Sequence, residues 1–158
     1  MIPEQTLEAL ANGFGHLGSA SADLKTAHTD ILSASVDQEN DTVTCFALSF
    51  LAGPTLDNMK ATGRVSYFFG LMSHEAYQFK GQFIETRELT ESELAQSEQF
   101  CKAIAEILGS MGIAPEATMK LVGTAPDLGI TFKVENIFNQ TPGPEAGQEL
   151  PFKDRQSV

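Results

Sequence analysis

The sequence predicts a mostly β fold, a six-stranded, largely antiparallel β-barrel with peripheral helices. Three observations lead there. Six short segments carry period-two alternation or a high content of β-branched residues, and the first three are joined by short polar turns. Helical patterns are few and sit between or after the strands. A sheet of that size has two edges to hide, and closure into a small barrel hides both.

Residues 3–12 suit a short helix, with Pro3 in its first turn, Leu7 and Leu10 on one side and Gly13 just past its end. Residues 15–22, 26–36 and 41–50 read as an antiparallel meander, separated by turns rich in Asp and Asn. Residues 53–63 predict a helix with Pro54 in the first turn, Leu56 and Met59 three apart, and Gly63 as a left-handed stop. Residues 64–69 and 75–86 return to strand. Thr90 and Glu93 form a capping box that opens a helix with Leu94, Cys101, Ile104, Ala105 and Leu108 on one stripe, ending near Gly109. Residues 115–121 suit another short helix. In residues 129–135, Ile130, Phe132 and Val134 alternate with Thr131, Lys133 and Glu135 as a final strand. The whole reads as one domain over 1–158, with 140–158 an extended tail or an arm laid on a partner.

The 158 residues suffice for one substantial core. A net charge of −11 disfavours nucleic acid and anionic membranes as partners. It also requires any anion site to gather scarce cations locally. No apolar run approaches the ~20 residues of a membrane helix, and the acidic N-terminus broken by Pro3 is unlike a signal peptide. Cys45 and Cys101 lie far apart in apolar patterns, as free thiols of a reducing compartment do. The chain reads as cytoplasmic. His16, His28 and His74 lie on separate elements with no metal-ligand spacing, so no metal site is expected. Tyr67, Phe68 and Phe69 read as core.

The segment HEAYQFKGQFIE, residues 74–85, carries the candidate chemistry. Tyr77, Phe79 and Phe83 point one way, and Gln78, Lys80 and Gln82 the other, with Gly81 where a backbone or ligand could approach closely.

Taken in order, the meander, the block TLDNMKATGRVSYFF, the strand YQFKG, the capped acidic helix and the phrase QTPGPEAG resemble the pyridoxamine-5′-phosphate-oxidase-like family. These are the FMN-binding split-barrel proteins, and the resemblance runs from about Gly13 to Gly147. It implies a six-stranded split barrel and a homodimer with FMN in clefts between subunits. The activity implied is an FMN-dependent oxidoreductase of unknown substrate. The alternative is a non-catalytic module holding flavin or another ligand, or a haem-binding relative with His28 near the cofactor. The resemblance places Gln78 beside the flavin and Lys80 on the same polar face. It sets Thr55 near a helix start beside the phosphate, where free N–H groups favour an anion, with Lys60 and Arg64 adding charge. Where the family carries an arginine, often with a lysine, on the second strand, this sequence offers Thr29, Ser33 and Ser35. Neutral hydroxyls give roughly half the strength of charge-assisted bonds to a phosphate. The C-terminal arginine and histidine that grip pyridoxamine phosphate are not recognisable, so that activity itself is not expected.

Overall fold

The structure, a computed structural model, describes residues 1–153, and of residues 121 and 122 the backbone only. A 3₁₀ turn at Glu4–Thr6 leads into α1 (Leu7–Asn12). The strands are β1 (Phe14–Ala20), β2 (Thr26–Asp37), β3 (Thr42–Ala47), β4 (Arg64–Gly70), β5 (Ala76–Arg87), β6 (Leu128–Asn139) and β7 (Glu149–Leu150). Helix α2 (Ser49–Thr62) follows β3, and α3 (Glu91–Ser110) and α4 (Pro115–Val122) lie between β5 and β6. The strand order is β3-β2-β1-β4-β5-β6-β7, and β3 also pairs with β6. That last pairing closes six antiparallel strands into the expected barrel.

Alternation decides the core. Leu17, Tyr67, Phe69, Phe79, Phe132 and Ile137 point inward and are fully buried. Burying each such side chain stabilises by roughly 1.5–3 kcal/mol. Tyr67 stacks on Phe69, which meets Phe79 edge-on. Phe68, between two core residues, must face outward and is 41% exposed, which corrects its assignment to the core.

Two further expectations change. Strand β3 stops at Ala47, and α2 starts at Ser49, so Pro54 lies inside the helix and not in its first turn. A distant residue sets that start: Asp127 accepts from the Ser49 backbone N–H at 2.8 Å and from its hydroxyl at 2.5 Å. Those bonds hold the Asp127 carboxyl below its ordinary range. Gly63 ends the helix in the left-handed conformation, as expected. The tail also behaves differently. Residues 141–147 turn, β7 returns to pair with β6, and Leu150 and Phe152 pack on the core. The N–H of Lys153 donates to the Met1 carbonyl, tying the segment after β7 to the first residue. The last part of the expected tail, 154–158, lies outside the described residues.

Helix α3 lies across the far half of β2. Its capping box forms, with the Thr90 N–H donating to Glu93 Oε2 and the Glu93 N–H to Thr90 Oγ1. Its buried residues are Glu93, Ser97, Phe100 and Ile104; Cys101, Ala105 and Leu108 of the predicted stripe pack half-buried beside Phe100 and Ile104, while Leu94 is exposed. Glu93 also receives both guanidinium N–H groups of Arg87 at 2.7 Å and the Ser35 hydroxyl at 2.9 Å. The Arg87 contact is the main reason that the Glu93 carboxyl is pulled down to about 2.

Candidate functional site

The outward faces of β2, β1, β4, β5 and β6 form a continuous surface whose residues line up in rows. One row runs His28–Gly18–Ser66–Lys80–Asn136, and the next Asp30–His16–Phe68–Gln78–Phe138. The first row floors a cleft of about 570 Å³ lined also by Ser19, Thr26, Arg64 and Glu135. That size falls in the range of small-ligand sites. Lys80 Nζ stands 4.7 Å above the Phe138 ring, a cation–π contact that steers the ammonium. Arg64 reaches Glu135 at 3.6 Å from the other side. Two cations and an imidazole therefore meet here in a chain that is otherwise acidic.

Gln78 lies between this cleft and a smaller one. Its amide donates to Ser66 Oγ at 2.8 Å and accepts from Gln140 Nε2 at 3.2 Å. Ser66 lines the larger cleft, while Gln140 lines the smaller, with Phe14, His16, Phe68 and His74. The side chain is thus fixed at both ends, in one orientation.

The two glycines of the larger cleft have different reasons. A Cβ on Gly81 would lie 1.8 Å from the Lys133 carbonyl oxygen, so this glycine serves the bulged pairing of β5 with β6. A Cβ on Gly18 would meet nothing nearer than the Ser66 carbonyl oxygen at 3.6 Å. Packing does not demand glycine there; its absence of side chain leaves bare backbone as the cleft floor.

Of the sequence-predicted residues, Lys80 lines the cleft and Gln78 borders it. Thr29, Thr55 and Lys60 do not line it. Thr29 is opposite Leu17, 3% exposed, with its hydroxyl inside the barrel and without a partner among the described residues. The reason is a β-bulge. Ile31 pairs with Ala47 and Ser33 with Phe46, so Leu32 is an extra residue that reverses the alternation. Before it His28 and Asp30 face out; after it Ser33 and Ser35 do. Those serines are held by α3, Ser33 accepting from Gln96 Nε2 and Ser35 donating to Glu93. Thr55 is buried in the middle of α2, not at its start, and the true start is occupied by Asp127. Lys60 is exposed in the last turn of α2, where its charge suits the negative end of the helix.

Residues that pattern reading missed include Gly18, Ser66 and Asn136. Ser66 and Phe68 alternate with core residues of β4, which is a signal for the outward face. The thiols of Cys45 and Cys101 are free and burial pushes both up, so neither is an activated nucleophile. Among the described residues no cluster of three or more His, Cys, Asp or Glu is placed to hold a metal.

No family model and no curated protein sequence matches this chain. Solved structures do. HupZ from Group A Streptococcus is similar with a TM-score of 0.56 at 16% identity, over 93% of this chain and 100% of that one. A candidate pyridoxamine 5′-phosphate oxidase from Lactobacillus delbrueckii gives 0.53 at 14% identity, over 87% of this chain and 93% of that one. The fold is the split barrel of the pyridoxamine 5′-phosphate oxidase-like proteins. An F420 reductase shares this split barrel, with a TM-score of 0.51 at 12% identity, over 86% of this chain and 98% of that one. No helix among the described residues is long and apolar enough to cross a membrane.

Proposed function

We propose that the larger cleft binds FMN and that the protein is a flavin-dependent oxidoreductase, working as a cytoplasmic homodimer on a small-molecule substrate. The observation that carries this reading is the meeting of Lys80, Arg64 and His28 over a bare backbone floor at Gly18, in a chain of net charge −11. The residues fit the group. Lys80 and Arg64 would hold the phosphate through charge-assisted bonds, roughly twice as strong as neutral ones. The flat floor at Gly18 leaves room for a ring system, and the doubly anchored Gln78 presents its amide in a fixed direction. Bound flavin supplies hydride and electron transfer, while these side chains bind, orient and exclude water.

A second reading has its own observation. Glu135 lies against Arg64 and competes with any phosphate for it. A cleft weakened in this way would suit a non-catalytic module that holds flavin or another anion.

Titrating the purified protein with FMN while following flavin fluorescence separates them. Saturable quenching that weakens at least tenfold in Lys80→Gln, with reduction by a hydride donor, supports the oxidoreductase. Binding without turnover supports the module. Unchanged flavin fluorescence with a colourless protein sinks the flavin reading, and a Soret band on adding haem would replace it. Sedimentation of the same sample tests the homodimer, which a monomer would overturn.

A further inference from the structure

We propose that the smaller cleft is a second binding site, for a planar aromatic molecule carrying an ionisable hydroxyl, and that His16 accepts its proton. The cleft measures about 280 Å³, room for a single substituted ring. Its walls are aromatic. Phe14 and Phe68, on adjacent strands, are 38% and 41% exposed, and Phe14 also meets Phe100 of α3 edge-on. Offset or edge-on contact with such rings favours a flat aromatic guest.

The chemistry comes from His16. Its Nδ1 lies 2.9 Å from Asp30 Oδ1. An ionised carboxylate can only accept, so Nδ1 carries a hydrogen and Nε2 is the nitrogen left to meet a ligand. His16 lines the cleft beside Phe68, its neighbour on β4, and its ring meets that of His28 edge-on with centroids 6.1 Å apart. A base whose second nitrogen is held by a carboxylate is the orienting arrangement of acid–base sites. The cleft is lined by a second imidazole, His74, with a left-handed backbone at φ 72° held by its N–H donating to the Leu71 carbonyl.

The step is a proton transfer alone. The ligand O–H bond breaks, its electron pair stays on oxygen, and the proton moves to Nε2. The resulting phenolate faces an imidazolium that Asp30 stabilises. His16 would be the residue that touches the ligand, and Asp30 its positioning residue. Flavin takes no part in this step.

The probe is p-nitrophenol, whose phenolate is coloured, added to the full chain without flavin. Saturable binding with a rise in the phenolate band is expected. His16→Gln should weaken it at least tenfold, and p-nitroanisole, which has no proton to give, should bind the wild type and His16→Gln alike. Equal binding of the phenol by wild type and His16→Gln, or tighter binding of the anisole than of the phenol, overturns the proposal. Nitrogen-15 spectra of the imidazoles test the dyad separately. His16 should show hydrogen on Nδ1 in the wild type and lose that signature in Asp30→Asn. An unchanged His16 spectrum in that variant overturns the role given to Asp30.

Discussion

On the N-terminal side of Leu32, β2 turns His28 and Asp30 toward an open, ligand-sized surface; on the C-terminal side it turns Ser33 and Ser35 under α3. The two halves have similar composition, and one extra residue separates their duties. In the first half His28 and Asp30 stay exposed because nothing covers them, while Thr29 between them faces the barrel interior. Ser33 and Ser35 in the second half are consumed by Gln96, Glu93 and the Arg87 pair beneath the helix. A hydroxyl on a strand therefore has no fixed meaning until its face and its cover are known.

Deleting Leu32 attacks this division most directly. Without the bulge one half of β2 must present its polar side to the core, and we expect loss of the fold, a cost beyond ~5 kcal/mol given the unpaired polar groups that would be buried. Far-ultraviolet circular dichroism and melting temperature check it; a cooperative melt near that of the wild type would refute the bulge's role.

Glu93→Gln isolates the covered half. Breaking its ion pair should cost about 2–3 kcal/mol in chemical denaturation, below the value for a fully buried pair because Arg87 is partly exposed. FMN affinity should not move. The pH dependence has a definite sign. The carboxyl sits at about 2 when folded against an ordinary 4.5. Its stabilisation is therefore complete above the ordinary value and lost as pH falls from there toward 2. Denaturation midpoints across that window should fall in the wild type and fall less in Glu93→Gln.

Gly18→Val probes the open half. The position has room for a Cβ and lies in a strand, so stability should change by less than ~0.5 kcal/mol. The branched side chain would occupy the cleft floor, and FMN quenching should weaken at least tenfold, ~1.4 kcal/mol. A valine that leaves flavin titration untouched would remove the floor from the site. Thr29→Val is the smallest change. It removes a buried hydroxyl without a partner among the described residues, and should stabilise by about 1 kcal/mol in denaturant. Flavin affinity should be unaltered, since the side chain faces the barrel interior.

Much of the architecture is legible in pattern. The alternation of β5 separates Tyr77 and Phe79 from Gln78 and Lys80, and Thr90 with Glu93 marks the start of α3, because both signals are local. The bulge at Leu32 is not, since an apolar residue among serines looks like continued alternation with one irregularity. The start of α2 is hidden for a different reason. Its cap, Asp127, is remote in sequence, while Ser49–Phe50–Leu51 extends the apolar run of β3. Reading Thr55 as a helix-start hydroxyl followed from that hidden boundary. Lys80 and Gln78 were accessible because a strand's polar face is written in every second residue, whereas the cleft's floor at Gly18 depends on which strands become neighbours.

The pairing of β6 with both β3 and β5 also governs how the molecule is made. Ala47 meets Leu128 and Thr42 meets Lys133 across more than half the chain. Contacts of that span are reached late and slowly, after the loop-closure entropy is met. A nascent chain that has emerged only through α4 carries two unpaired strand edges, on β3 and β5, each able to pair with a neighbouring chain. Residues 128–139 quench both edges together, and in the same motion bring Asn136 and Glu135 to the cleft. The binding surface and the protection from aggregation thus arise in one late event of synthesis, from a single strand.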